Sequence, residues 1–386
     1  MRRKLPALRQ KLQGYDMREI LAQVTQVPAV LGDSVPLSQT ALRLVSEGIH
    51  ALWERIVVAD RGADVSPLLL SYDVHPGAEG PVLIEINTNA GGVLAAIAAA
   101  RQVNDCCAQW EQEQLQGRLL DLFRRDLLGN EPRQAGVVAI VDDALATQPL
   151  LSEMHGLAAM MHEEGAEVLV IDAAELRYHS GRLRYGDTAI DRIYWRSTDF
   201  TLEQPRHQVV RRAVSEGTTA IAPSPQAYRA IADKRRFVEW SQQPELACDA
   251  TSGLRFRIAK TVPMNSRPLD DWYAERKDWV FKPVSGHASR GVYVGKSISR
   301  HKLAELPVDE YLVQRYSAHP QLDRNGTAWK YDIRFFADRG QIIGAAARVF
   351  RGQVLGLSAP GSGFAPIRVD TMCCLIGALT RTTAAG

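Results

Sequence analysis

Cysteine is scarce in this chain and poorly placed for chemistry: of 386 residues five are Cys, four of them in the adjacent pairs Cys106, Cys107 and Cys373, Cys374. With no CxxC or Cys/His spacing, neither a disulfide framework nor a zinc site is indicated, and a reducing, cytoplasmic setting is expected. Long apolar runs are missing too. The basic start MRRKLPALRQ lacks the apolar core of a signal peptide, and the Ala/Ile stretch at 93–100 is far too short to cross a bilayer, so no membrane partner is expected. Neither sign of charge is in excess; a formal net charge of +2 gives no reason to expect nucleic acid. The usual chemical fingerprints are absent as well: no GxxxxGKS phosphate loop, no GxGxxG dinucleotide turn, no GxSxG elbow and no evident Cys/His pair. What is present, 46% hydrophobic and 23% charged residues, is the composition of a globular protein long enough for two or three domains. The oligomeric state is left open.

The most informative stretch is Asp73 to Gly92, DVHPGAEGPVLIEINTNAGG. Val82, Leu83, Ile84 and Ile86 form an apolar run interrupted by Glu85 and Asn87, which two apart on a strand share a face. A turn at Pro76–Gly80 folds Asp73 back toward them. Three oxygen ligands then converge, a set that suits a hard cation such as Mg²⁺ bridging phosphates. The plainer alternative is an edge strand with solvated polar residues. His75 is expected to be a turn residue, because Mg²⁺ prefers oxygen; an extra ligand or base is its other reading.

Elsewhere the pattern divides the chain. Leu42, Val45, Ile49, Leu52 and Ile56 mark an amphipathic helix, and GNEP at 129–132 is a boundary. Strands at 137–141, 168–171, 190–195 and 219–222 alternate with helices near 148–164 and 203–216, the sign of a parallel sheet with crossover helices. Arg196 would emerge at a strand's carboxyl end, where it can meet a substrate carboxylate or form a structural salt bridge. From about 225, strands at 279–283, 291–295, 311–316, 331–338 and 341–349 are joined by short turns, an antiparallel α+β unit. Within it, WVFKPVSGHASRGVYV is a strand ending in Lys282 and a loop, Ser285, Gly286, Ser289 and Gly291, able to cradle phosphate or to be an ordinary hairpin. His287 in that loop faces solvent or a phosphate. KYDIRFF and its partner strand carry Arg334 and Arg348, whose guanidinium groups match phosphate oxygens; the alternative for Arg334 is a pairing with Asp332. The loop containing Gly361, Ser362 and Gly363 reads as a binding loop or a surface loop. The expected units are 1–130, 131–224, 225–370 and a tail, 371–386.

Taken together, these stretches resemble the ATP-grasp superfamily of carboxylate-amine ligases. Asp73 followed by Glu85-Ile86-Asn87-Thr88 resembles the magnesium motif of that family, as in D-alanine:D-alanine ligase, and implies that Asp73, Glu85 and Asn87 are metal ligands. PSPQAYRAIADKRR resembles the stretch ending in a nucleotide-binding lysine, here Lys234, and VFKP places the second lysine at Lys282. Residues 285–291 resemble the phosphate lid. YLVQRYSAH resembles the adenine hinge, with Gln314, Arg315 and Tyr316 at the hinge positions and Arg315 where many relatives carry Glu. Arg334 matches the phosphate-facing position of the D-I-R strand, and Ser71 stands where some relatives keep Arg. In the usual order the lysines come first and E-x-N last; here Glu85 comes first. The chain is therefore expected to be a circularly permuted ATP-grasp, α/β and α+β, similar in motif order to eukaryotic-type glutathione synthetase.

The resemblance implies ATP and Mg²⁺ as cofactors, a small-molecule carboxylate and an amine as partners, and an acyl-phosphate intermediate. Two other classes are considered. A non-catalytic ATP-binding regulatory protein would be expected to have lost part of this residue set. An NAD-dependent oxidoreductase would need glycines where the first parallel strand is followed by DDALATQP.

Overall fold

The apolar positions of the first periodic segment become the inner face of a helix. In the computed structural model, which describes residues 29–59, 66–101, 108–129, 131–286, 290–357 and 359–370, Gln39–Ala59 is a 21-residue α-helix burying Leu42, Val45, Ile49, Leu52 and Ile56. It lies on a nine-stranded sheet and shares a core with Tyr72, Leu83, Phe256, Ile333 and Phe335.

That sheet joins the two ends of the described chain. Its order is Ala29–Val30, Gly363–Ala365, Gln341–Phe350, Thr327–Asp338, Leu70–His75, Val82–Asn87, Arg255–Ile258 and Glu245–Cys248, with Gln321–Arg324 paired to Thr327–Asp338. The hairpin of residues 70–87 is thus inserted between late strands, antiparallel to Thr327–Asp338 on one side and parallel to Arg255–Ile258 on the other. Period-two alternation puts Leu70, Tyr72 and Val74 on the helix side, and a bulge in the second strand lets both Leu83 and Ile86 join them; Asp73 and Glu85, which are register partners, face the opposite side.

A separate four-stranded parallel sheet runs in the order Ala220–Ala222, Arg192–Trp195, Val137–Asp142, Glu167–Asp172, as the alternating pattern requires. Helix Leu151–Glu163 covers one of its faces and helix Gln208–Ser215 the other. An antiparallel meander, Arg177–His179, Arg182–Tyr185 and Thr188–Ala189, interrupts one crossover and was not foreseen. Its first turn places Ser180 and Gly181 at φ of 51° and 73°, the paired positive angles of a tight hairpin. Between the two sheets, Val93–Ala100 is buried over almost its whole surface, and the core it shares takes in Val138 and Val170 from one sheet and Phe336 and Ala346 from the other.

The late segment contributes to two sheets rather than one. Thr261–Pro263, Tyr311–Arg315, Trp279–Pro283 and Tyr293–Val294 form a small antiparallel sheet of their own, around Trp272, Phe281 and Val313. The strand expected at 291–295 shrinks to Tyr293–Val294, because Gly291 is a turn residue at φ 72°. Among the described residues no helix is long and apolar enough to cross a membrane.

Two outcomes are expected. Gly48 faces the sheet where an added Cβ would run into the Phe256 ring and lie 2.9 Å from Leu246 Cβ. Gly48→Val should therefore lower stability by about 1–3 kcal/mol through overpacking, read as a drop in the thermal midpoint. Beside the parallel sheet, just before helix Gln208–Ser215, buried His207 lies 2.7 Å from Asp199 and 2.8 Å from Asp143. Burial alone would lower its pKa, but hydrogen bonds to these two carboxylates outweigh it and raise the value above 6.5. The native state then holds a proton that the unfolded chain releases earlier, so this stabilisation is full below 6.5 and is lost as pH rises through the raised pKa. Urea midpoints should fall over that window, and His207→Gln should flatten the fall.

Candidate functional site

On the face of the large sheet opposite helix Gln39–Ala59, register places charges of both signs side by side. Arg334 is paired with Asp73 across one strand boundary and Asp332 with Arg348 across the next. Arg334 grips Asp73 with two bonds of 2.8 Å, from Nε to Oδ1 and from Nη2 to Oδ2, and donates to the Gly91 carbonyl at 3.0 Å. Arg348 grips Asp332 at 2.8 and 2.6 Å and reaches Asp73 at 2.9 Å. Bidentate guanidinium–carboxylate pairs of this kind are the strong ones. Burial by itself would raise the Asp73 pKa, but the two guanidinium groups beside it win and hold it down at about 2. Arg334 therefore pairs with Asp73 rather than Asp332, since residues opposite in register lie closer than residues two apart on one strand.

Glu85 and the two lysines meet next to this array. Lys234 Nζ lies 3.6 Å from Glu85 and donates to the Gly286 carbonyl at 2.6 Å. Lys282 Nζ donates to Gln314 Oε1 at 2.6 Å and to the Ile84 carbonyl at 3.2 Å, across 198 positions of sequence. Burial lowers its pKa, with Lys234 adding to the shift and Glu85 opposing it. Gln314 is oriented in turn by Ile84 and Thr261. Ile84, Glu85, Lys234, Lys282 and Gln314 line one cavity of about 110 Å³ between the large sheet and the small one, together with Val280, Val292, Val294 and Arg348. An apolar wall with a few convergent polar and charged groups is the usual lining of a small-molecule site.

The other expected residues fall into place unevenly. Gly286 and Gly291 flank the loop expected to meet phosphate, against Pro283 and Tyr311, whose hydroxyl donates to the Gly291 carbonyl at 3.1 Å. Ser285 is exposed. Ser289 and His287 lie outside the described residues, as does the tail. At the positions expected to form a hinge, the N–H groups of Arg315 and Tyr316 are already donated to the carbonyls of Lys260 and Asp278, both at 2.7 Å. The Arg315 guanidinium lies 3.4 Å from Asp278. Arg196 is buried, 3.6 Å from Glu153, and donates to the Ala90 carbonyl and the Tyr194 hydroxyl. Gly361 packs on Trp329, buried Ser362 stands beside it, and Gly363 pairs with Ala29 and Val349; the cavity is lined by Gln353, Val354 and Leu355 instead.

His75 corrects an expectation. It is the last residue of strand Leu70–His75 and 4% exposed, not a turn residue, because pairing with Val82 carries the ladder one step further than the Pro76 break suggests. Ser317 and His319, which also line the cavity, were missed entirely. They sit in an irregular segment with no periodicity, and only the resemblance of the hinge beside them pointed there.

The metal set passes a chemical test of fit. Asp73, Glu85 and Asn87 offer oxygen donors and share a face through the Asp73–Glu85 register pair; Glu85 lines the cavity beside Lys234, while Asp73 lies behind it against Arg334 and Arg348 with one lone pair left on Oδ1. Asn87 Nδ2 lies 3.4 Å from Asp73 Oδ2, so the amide and the carboxylate are already neighbours.

No family model matches the chain, and no curated protein matches it in sequence. Solved structures do match in shape. A protein of Methylobacillus flagellatus KT, provisionally assigned as a gamma-glutamylcysteine synthetase, is similar over 90% of this chain and 92% of its own, with 14% identity and a TM-score of 0.51. The D-cycloserine synthetase DcsG aligns with 65% of this chain and 98% of its own, at 17% identity and a TM-score of 0.34. The ATP-grasp ligase PsnB, solved with a minimal precursor, Mg and ADP, aligns with 64% of this chain and 98% of its own, at 14% identity and a TM-score of 0.31. The last two likenesses are too weak to carry an argument; the first shows a shared mixed α/β fold with parallel and antiparallel sheets.

Proposed function

We propose that this chain is an ATP- and Mg²⁺-dependent carboxylate-amine ligase of circularly permuted ATP-grasp architecture, acting through an acyl phosphate. The observation that carries this reading is the convergence of Glu85, Lys234 and Lys282 on one cavity, from stretches far apart in sequence that each resemble a different part of one nucleotide site. The insertion of the early hairpin between late strands supports the permutation. A similarity to glutathione synthetases in the nature of the substrates is part of the proposal and rests on motif order alone.

In this reading Lys234, Lys282 and the lid at 285–291 hold the phosphates of ATP. Asp73, Glu85 and Asn87 hold Mg²⁺, which when bound neutralises phosphate charge. A substrate carboxylate attacks the γ-phosphorus, ADP leaves, and the resulting acyl phosphate is attacked at carbon by an amine, releasing phosphate and forming an amide. The protein's part is positioning and charge neutralisation, with no covalent nucleophile. Arg334 can meet a phosphate oxygen with the two N–H groups, one each on Nη1 and Nη2, that its bonds to Asp73 and the Gly91 carbonyl leave unused. Lys282, whose charge is disfavoured by burial, gains most from an incoming phosphate anion.

The reaction is tested on the full chain by ADP release with Mg²⁺ and ATP across amino acids, short peptides and polyamines, with mass analysis of the product. Productive pairs should give an amide, and chelating Mg²⁺ should stop turnover. Lys282→Ala and Glu85→Ala should each lower the rate by about a hundredfold or more with an unchanged far-ultraviolet spectrum. Full activity in either variant would overturn the site. Binding of ATP with Mg²⁺ but no ADP from any pair would favour a non-catalytic nucleotide-binding protein instead.

A further inference from the structure

Two buried imidazole nitrogens beside the cavity have no hydrogen-bond partner. His75 Nδ1 lies 2.9 Å from the Ser317 carbonyl, which can only accept, so Nδ1 carries the proton and Nε2 keeps its lone pair. That Nε2 is buried and unpartnered, and so is Nδ1 of His319. The two rings lie with centroids 4.0 Å apart, tilted by 45°, and no hydrogen bond joins them. Leaving buried polar atoms unsatisfied is costly, so a third group that satisfies both is worth seeking. Asp332 supplies the other half of such a site. Ile333 pairs with Val74, which brings Asp332 next to His75 at the following step of the ladder. The ligand atoms of His75, His319 and Asp332 all lie within 4.8 Å of one another. Arg348 occupies one lone pair on each Asp332 oxygen and leaves one on each.

We propose that His75, His319 and Asp332 form a site for a divalent transition-metal ion, Zn²⁺ above all, separate from the oxygen-only set at Asp73, Glu85 and Asn87. Two neutral imidazoles and a carboxylate suit Zn²⁺ and its neighbours, whereas Mg²⁺ is poorly served by nitrogen. The Ser317 carbonyl on His75 Nδ1 is the outer contact that fixes a metal-binding imidazole's tautomer and aim. Bonds of about 2.0–2.1 Å place tetrahedral donors about 3.4 Å apart, so the three must close in by an ångström or so. His319 lies between strands Tyr311–Arg315 and Gln321–Arg324, outside any ladder, so its approach breaks no strand pairing. The three residues all line the cavity, so an ion held by them keeps an open position toward whatever occupies it. The charges acting on the two imidazoles are Lys282, Lys330 and Arg348 against Asp73 and Asp332, so the ion's affinity comes from its three donors and not from negative charge around them.

The test uses the full chain stripped of metal by a chelator and kept in excess Mg²⁺. Zn²⁺ is titrated against a colorimetric chelator, and Co²⁺ is added separately for its visible absorption. One equivalent of Zn²⁺ should bind with a Kd tighter than about 10 µM, and Co²⁺ should give the intense visible bands of a low-coordinate nitrogen-bearing site. His319→Ala should weaken Zn²⁺ at least about tenfold and abolish the bands. His179→Ala, which changes an exposed histidine on the outer meander, should alter neither. Absence of the bands in the unaltered chain, a Zn²⁺ affinity weaker than the stated limit, or His319→Ala binding as the unaltered chain does, would overturn the proposal. The readouts on the unaltered chain decide even if the variant does not fold.

Discussion

Everything at the candidate site depends on the pairing of Asp73 with Arg334 and Arg348. A carboxylate with no solvent exposure is tolerable only with its charge compensated and most of its lone pairs used; the two guanidinium groups compensate the charge and take three of the four, leaving one on Oδ1. Arg334 and Asp73 are 261 positions apart, so this contact fixes where the early hairpin must sit: beside strand Thr327–Asp338, in the register that sets Asp73 opposite Arg334. A slip of one residue would turn Asp73 into the apolar core under helix Gln39–Ala59 and expose Tyr72 in its place. Glu85 is then placed without further choice, because it is the register partner of Asp73.

The small antiparallel sheet forms the opposite wall of the cavity. Its link to the large sheet runs through polar contacts, Lys282 to the Ile84 carbonyl and Gln314 to the same oxygen. Its own core, built on Trp272, Trp279 and Phe281, is separate from the core under the large sheet. A unit with its own core, joined across a polar seam, is suited to shifting as a body when a ligand enters. On the far side, the parallel-sheet unit is attached more firmly. Buried Glu153 accepts from the Gly92 and Leu94 amides at the start of helix Val93–Ala100 and lies 3.6 Å from Arg196, so one carboxylate ties the end of the Asp73–Gly92 stretch to both a helix and a strand of the parallel sheet. Gly92, at φ 92° and with the Phe364 ring where a Cβ would point, is the residue that lets the chain make this approach.

The two metal-suited clusters differ in kind although they are neighbours on one face. Asp73, Glu85 and Asn87 were visible as a motif because their spacing on two short strands is itself the pattern. His75, His319 and Asp332 come from three segments and make no pattern in sequence; burial, the Ser317 carbonyl and the ladder step beside Val74 bring them together.

Much of the secondary structure was legible because it is local. The three-and-four spacing of Leu42 to Ile56 produces the helix, and the β-branched run at 137–141 produces the central parallel strand, since the periods of helix and strand are written in neighbouring residues. The site was legible only in pieces. Each lysine, each arginine and the E-x-N stretch could be named, yet nothing local says that Lys234 meets Glu85, that Arg334 chooses Asp73 over Asp332, or that Arg196 turns inward to Glu153. Nor could sequence alone divide the late strands between two sheets, because hairpin periodicity is the same in either. Asp73–Gly92 contains, in its own residues, a paired strand with two acids and an amide on one face. The tertiary structure decided what those acids face, because ion-pair partners are selected by distance in space, and in this chain the nearest cations lie far away in sequence.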